Sequence, residues 1–169
     1  RHRTQAVLVA CRDLPRDDRA VVVADEVRTL DAERLDHRHD VAHERTVIFV
    51  RPDYYLVIDR MLGAGGQPHT YSNLFHLDAQ EALVDQASLS VTSLQPNAAN
   101  ITLVPLAMDG LSLRIVKGQE DPVQGWIPRQ NHRAIPTAIY EKTGPAPELF
   151  VTLLYPHPTA ERPAVRAEL

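Results

Sequence analysis

Apolar residues in this chain come in short runs, several of them alternating with polar residues at a period of two. The runs predict strands near residues 4–11, 20–28, 44–51, 54–60, 69–77, 87–94, 100–106, 111–117, 135–143 and 149–155. They are rich in Val, Ile, Leu, Thr and Tyr, the side chains that pack well on a pleated surface. In SLSVTSL (88–94) the residues Leu89, Val91 and Ser93 share a face, and in LSLRIVKG (111–118) Leu111, Leu113 and Ile115 do the same. Only EVRTLDAERLD (26–36) has helical spacing, with Val27, Leu30 and Leu35 apolar. Two nearly continuous apolar runs, Thr46–Val50 and Tyr54–Ile58, flank Arg51-Pro52-Asp53. Runs of that kind suit strands covered on both faces.

Turn residues separate the runs. Pro52 fits the second position of a type I turn, where its fixed φ is an advantage. Residues 63–66, GAGG, make a flexible connection, and QPNAAN (95–100) and MDG (108–110) read as hairpin turns. About ten short, closely spaced strands with minimal helix imply an all-β fold, an antiparallel β-sandwich.

Composition changes this picture little. A chain of 169 residues with 44% apolar content fits a single domain, residues 1–169, with an ordinary core. A net charge of −4 and a pI near 6.0 argue against nucleic acid as a partner. Cys11 is the single cysteine, which leaves no internal disulfide and no thiolate metal cluster. The apolar runs are far shorter than the ~20 residues of a membrane span. RHRTQAVLVA (1–10) opens directly into a strand without a signal-peptide pattern, so the expectation is a chain that begins in mid-protein.

Candidate chemistry is sparse. HRHDVAHE (37–44) is the densest histidine cluster, but it has no convincing fourth zinc ligand and reads as a polar loop before a strand. His69 and His76 are seven residues apart, so an unbroken strand would point them to opposite faces. One reading makes one of them a surface residue and the other a hydrogen-bonded core histidine. The functional reading sets one at the rim of a cleft, against sulfate or uronate. Trp126, the only tryptophan, stands in a Gly/Pro-flanked loop, where it either stacks on a sugar ring or plugs the core. Of the alternating Tyr54 and Tyr55, one faces the core. No nucleophile elbow and no phosphate-binding glycine loop is present.

The segment HERTVIFVRPDYYLVIDRMLGAGGQPHTYSNLFHL (43–77) resembles the C-terminal β-domain of the heparinase II/III-like polysaccharide lyases, which include heparin, heparan and oligoalginate lyases. The likeness rests on His43 and Arg45, on Pro52-Asp53-Tyr54, on Asp59-Arg60, on His69 and Tyr71, and on Phe75-His76-Leu77. EDPVQGWIP (120–128) and FVTLLYP (150–156) resemble later parts of the same domain more weakly.

The resemblance implies a supersandwich-like β-domain preceded by a helical toroid, with the substrate cleft between them. It implies β-elimination at a uronic acid, with Tyr and His as base and acid. The expected partners are an acidic polysaccharide or oligosaccharide and the upstream toroid of the same protein. The expected location is periplasmic or secreted, or cytoplasmic for an oligosaccharide lyase. The family's catalytic Tyr and one His belong to the toroid, so no catalytic residue is assigned to this chain. Its structural divalent metal, zinc or calcium, is bound upstream; if residues 4–15 match the strand carrying the last ligand, Thr4 and Gln5 stand where His and Asn would be. No metal site is carried over. His69, Tyr71, His76 and Trp126 are the expected substrate contacts. His43 is expected to make a structural hydrogen bond. Arg45 either faces opposite to Val47 or pairs with an acid such as Asp59 or Glu44. The alternative is a non-catalytic carbohydrate-binding or structural β-module.

Overall fold

A computed structural model describes residues 27–30, 41–63, 66–127, 132–159, 161, 163–165 and 167. Among these residues every regular element is a strand. In chain order they are β1 (Val27–Leu30), β2 (Val41–Val50), β3 (Tyr54–Gly63), β4 (Pro68–His76), β5 (Glu81–Asp85), β6 (Ser90–Leu94) and β7 (Asn100–Pro105). There follow β8 (Ser112–Val116), β9 (Gln119–Glu120), β10 (Val123–Gln124), β11 (Trp126–Ile127), β12 (Arg133–Ala134), β13 (Thr137–Pro145) and β14 (Glu148–His157).

Seven strands form one antiparallel sheet in the order β1-β2-β3-β14-β7-β6-β5, and three form a second in the order β4-β13-β8. The two sheets face each other over a shared core. Met61, Val91, Leu103 and Phe150 of the larger sheet pack with Tyr71, Ala138 and Tyr140 of the smaller one. The far face of the larger sheet is apolar too: Tyr54, Leu56, Ile58, Val104, Leu106, Val151 and Leu153 are buried there, with Val165 and Ala167 packed against them. This explains the continuous apolar run in β3, where Leu56, Val57 and Ile58 are all buried on alternating faces. A central strand between two apolar layers has no solvent face to make polar.

Four expectations need correction. Residues 27–30 are a strand paired with β2 and not the start of a helix; the open edge of β2 offers backbone partners that local spacing does not reveal. The run placed at 87–94 is a turn at 86–89 followed by β6, with Leu89 at φ 51, and the preceding EALVD forms an unforeseen strand, β5. The β2–β3 turn has a cis Arg51–Pro52 bond, with Asp53 N donating to Val50 O at 2.9 Å, so it is of the cis-proline class and not type I. Met108-Asp109-Gly110 does not close a hairpin but carries the chain from β7 in one sheet to β8 in the other. The strands expected at 4–11 and over 20–26 lie outside the described residues, as do His37 and His39.

Candidate functional site

Three polar features stand out from the apolar frame. The first is buried. Register across the β2–β3 hairpin sets Arg45 opposite Asp59 and His43 opposite Met61, so all three project toward the smaller sheet. Asp59 has 0% exposure, yet its carboxylate is fully used. Arg45 donates from Nε to Oδ1 at 2.6 Å and from Nη2 to Oδ2 at 3.1 Å. His43 Nε2 lies 2.7 Å from Oδ1, and because a carboxylate only accepts, this nitrogen carries the proton. Asn73, on β4 of the opposite sheet, donates from Nδ2 to Asp59 Oδ2 at 2.9 Å and accepts from Arg45 Nη2 at 2.9 Å. The knot therefore ties the two sheets together. Arg45 pairs with Asp59 as anticipated, while Glu44 stands 3.8 Å from Arg60.

The second feature lies on β4 and β13. Tyr71 is buried, with its hydroxyl unpaired among the described residues. Burial, and after it the nearby Glu148 carboxylate, push that hydroxyl's pKa up. Lys142 is cross-strand from Tyr71, buried, 4.0 Å from Glu148 and over the Phe150 ring. The His69 ring sits 6.0 Å from that of Tyr71.

The third feature is an open cleft of about 770 Å³, lined by His76, Asp78, Glu120, Val123, Gln124, Trp126, Ile127, His132 and Ile135. Its wall is the excursion between β8 and β13, two small hairpins formed by β9–β10 and β11–β12. Gly125 is the pivot of that excursion. Its φ is +77, and its carbonyl accepts from Gly118 N at 3.0 Å and from Ile135 N at 2.9 Å. Trp126 is fixed by its Nε1, which donates to Gln119 O at 2.9 Å. Arg133, one residue past His132, is paired with Asp78.

The structure thus brings His76 and Trp126 together in the cleft, while His69 and Tyr71 stand at the other end of β4 and on its other face. Sequence reasoning missed Asn73, Asp78, Glu120, His132, Lys142 and Glu148. The pairing of Asn73 with Asp59 spans 14 residues and that of Arg133 with Asp78 spans 55, separations at which a single sequence holds no contact signal. Among the described residues no group of three or more His, Cys, Asp or Glu could hold a metal ion, so the divalent metal implied by the resemblance finds no donor set there. Thr4 and Gln5 lie outside those residues. No helix among them is long and apolar enough to cross a membrane.

No family model matches the chain, and no curated protein matches it by sequence. Its fold, however, is found in solved structures. Heparan sulfate lyase HepC from Pedobacter heparinus superposes with a TM-score of 0.60 and 23% identity, over 73% of this chain and 19% of that one. A mutant of the same enzyme gives 0.59. A heparinase III gene product gives 0.59 at 15% identity, over 72% of this chain and 18% of that one. The match thus spans less than a fifth of either protein. The resemblance of residues 43–77 and this likeness agree: the chain has the antiparallel β-sandwich fold of a heparinase-like domain.

Proposed function

We propose that this chain is the β-sandwich portion of a heparinase II/III-like polysaccharide lyase, forming one wall of a cleft in which a uronic-acid-containing polysaccharide is cleaved by β-elimination. The observation that carries this reading is the knot of His43, Arg45, Asp59 and Asn73. Three of its four members are motif residues of the resemblance, and they lock the two sheets in a fold shared with a heparan sulfate lyase and a heparinase III.

In the reaction, a base removes the C5 proton of the uronate while the carboxylate charge is offset. The C5 electron pair forms the C4–C5 double bond, the C4–O bond breaks, and the departing oxygen takes up a proton. The acidic C5–H and the leaving oxygen call for a base and an acid placed on the substrate. This chain supplies neither in our reading; both come from an upstream helical toroid of the same protein. What the chain contributes is a rigid wall that positions the toroid, and sugar contacts from His76 and Trp126. His69, at the other end of β4, is a further contact in the same reading, with Tyr71 buried behind it. The parent protein works in the periplasm or outside the cell, or in the cytoplasm if its substrates are oligosaccharides.

A second reading is favoured by one observation. The Trp126 cleft sets an aromatic ring beside polar side chains on one β-sandwich, as a stand-alone carbohydrate-binding module would. Reading the gene upstream separates the two. A helical region carrying Tyr and His supports the lyase, and a gene encoding only β-structure favours the module. Release of ultraviolet-absorbing unsaturated uronate from heparin, heparan or alginate by the intact gene product supports elimination directly.

A further inference from the structure

We infer that two ion pairs at the base of the excursion, Lys117–Glu81 and Arg133–Asp78, clasp the Trp126 cleft, so that salt loosens its hold even on an uncharged sugar. The inference rests on the reading of this cleft as a saccharide site. It adds how that site is regulated.

The cleft has a fixed side and a carried side. The fixed side is the connection from β4 to β5. Leu77 and Ala79 are buried there, Leu77 N donates to Pro136 O at 2.9 Å, and Gln80 N donates to Gln95 Oε1 at 2.9 Å. The carried side is the excursion, which is bonded within itself. Trp126 Nε1 donates to Gln119 O at 2.9 Å, and Gln119 Nε2 donates to Pro122 O at 2.9 Å. Trp126 is thus tied to its own hairpins and follows them.

Charge joins the two sides. Lys117, one residue before Gly118, donates from Nζ to Glu81 Oε1 at 2.6 Å and to Gln80 O at 2.7 Å. Arg133, at the other foot of the excursion, is paired with Asp78, which itself lines the cleft together with His132. The two feet touch, since a Cβ on Gly118 would come to 3.1 Å of Ala134 Cβ. Both cations therefore reach from one base to one short connection, residues 78–81. Their side chains and those of their partners are 36% to 67% exposed. Exposed pairs are individually weak and are screened by salt. Two of them on a shared base make a clasp that yields to ionic strength.

A ligand that needs the closed cleft binds more weakly in proportion to the fraction of molecules in which the clasp has opened. Apolar stacking on the indole is not screened in this way. The sign of the salt dependence therefore separates the clasp from the stack.

Trp126 is the chain's only tryptophan, so its emission reports on the cleft alone. Sodium chloride is raised from about 20 mM to about 500 mM, which shortens the Debye length from about 20 Å to about 4 Å. Quenching of the emission by acrylamide, an uncharged probe, should rise over that range. By calorimetry, affinity for an uncharged N-acetylglucosamine oligomer should fall about two- to fivefold. Lys117→Gln combined with Arg133→Gln should show the high-salt behaviour already at low salt. Lys117→Glu combined with Glu81→Lys rebuilds one pair with its charges exchanged and should keep the native response. Quenching or affinity that ignores salt overturns the inference, and where the oligomer still binds the saccharide reading stands. Quenching that follows salt while neither this oligomer nor one of heparan sulfate binds supports the clasp and overturns the saccharide reading. Elimination by the parent protein is judged separately, by its own product.

Discussion

Arg45 and Asp59 meet across the β2–β3 hairpin, Nε 2.6 Å from Oδ1 and Nη2 3.1 Å from Oδ2, in a position where no part of Asp59 reaches water. A buried carboxylate is tolerated only when its lone pairs are taken up, and here Arg45, His43 and Asn73 take them up. The pair stands where the hairpin of the larger sheet faces the edge strand of the smaller one, so it sets the distance and register between the layers.

Breaking this pair should destabilise the protein severely. Asp59→Ala strands a guanidinium and an amide, and Arg45→Ala strands a buried carboxylate; each should cost about 3–5 kcal/mol. Asn73→Ala removes one donor and one acceptor and should cost less, about 1–3 kcal/mol. Urea unfolding reads the effect as a lower midpoint at unchanged slope. Near-wild-type midpoints for Asp59→Ala would mean that the knot is not what holds the sheets.

Alkaline pH should weaken the fold through Tyr140. Its ring is buried, its hydroxyl donates to Leu89 O at 2.9 Å, and burial pushes its pKa well above the ordinary 10.0. A folded-state value above the unfolded one gives stability that is fully present below pH 10 and is lost as the pH rises beyond it, because only the unfolded chain then releases the proton. Stability measured from pH 8 to 11 should fall at the upper end for the native chain, and Tyr140→Phe should flatten that fall. At neutral pH the same variant should cost about 1 kcal/mol through the lost hydrogen bond. An unchanged alkaline slope in Tyr140→Phe would assign the fall to other groups, Tyr71 first among them.

Much of this fold can be read in the chain, and the exceptions have physical causes. The β2–β3 hairpin is legible because Leu56, Val57 and Ile58 answer to two apolar layers at once. The hairpin's polar ends, His43, Arg45 and Asp59, are visible as residues, but their partner Asn73 belongs to another sheet and no local pattern announces it. EALVD hides as a strand because its acidic ends imitate a loop and it sits at the edge of the larger sheet. SLSVTSL alternates from its first residue, yet Leu89 adopts the left-handed region and the strand starts only at Ser90. His76 and Trp126 each stand out in the sequence, but only the excursion between β8 and β13 brings them into one cleft.

Gly125 should be irreplaceable in that excursion. Its φ is +77, and a Cβ there would come to 2.7 Å of Val116 O, 2.8 Å of Lys117 Cα and 2.9 Å of Gly118 N, all backbone. Gly125→Ala should cost about 1–3 kcal/mol in stability and disturb the Trp126 indole more than the sandwich core. Tryptophan emission and thermal unfolding measured on one sample test this. A variant with native emission and native stability would show that the excursion has more room than its geometry gives it.

The central claim is that this sandwich walls a cleft in which uronate polymers break by elimination. The most direct measurement is the proton NMR spectrum of the new non-reducing end after the intact gene product has acted on heparan sulfate, heparin and alginate. The account predicts a vinylic H4 signal from a C4–C5 double bond, growing in step with chain cleavage. Cleavage that leaves only saturated ends, or no cleavage of any uronate polymer, would contradict it.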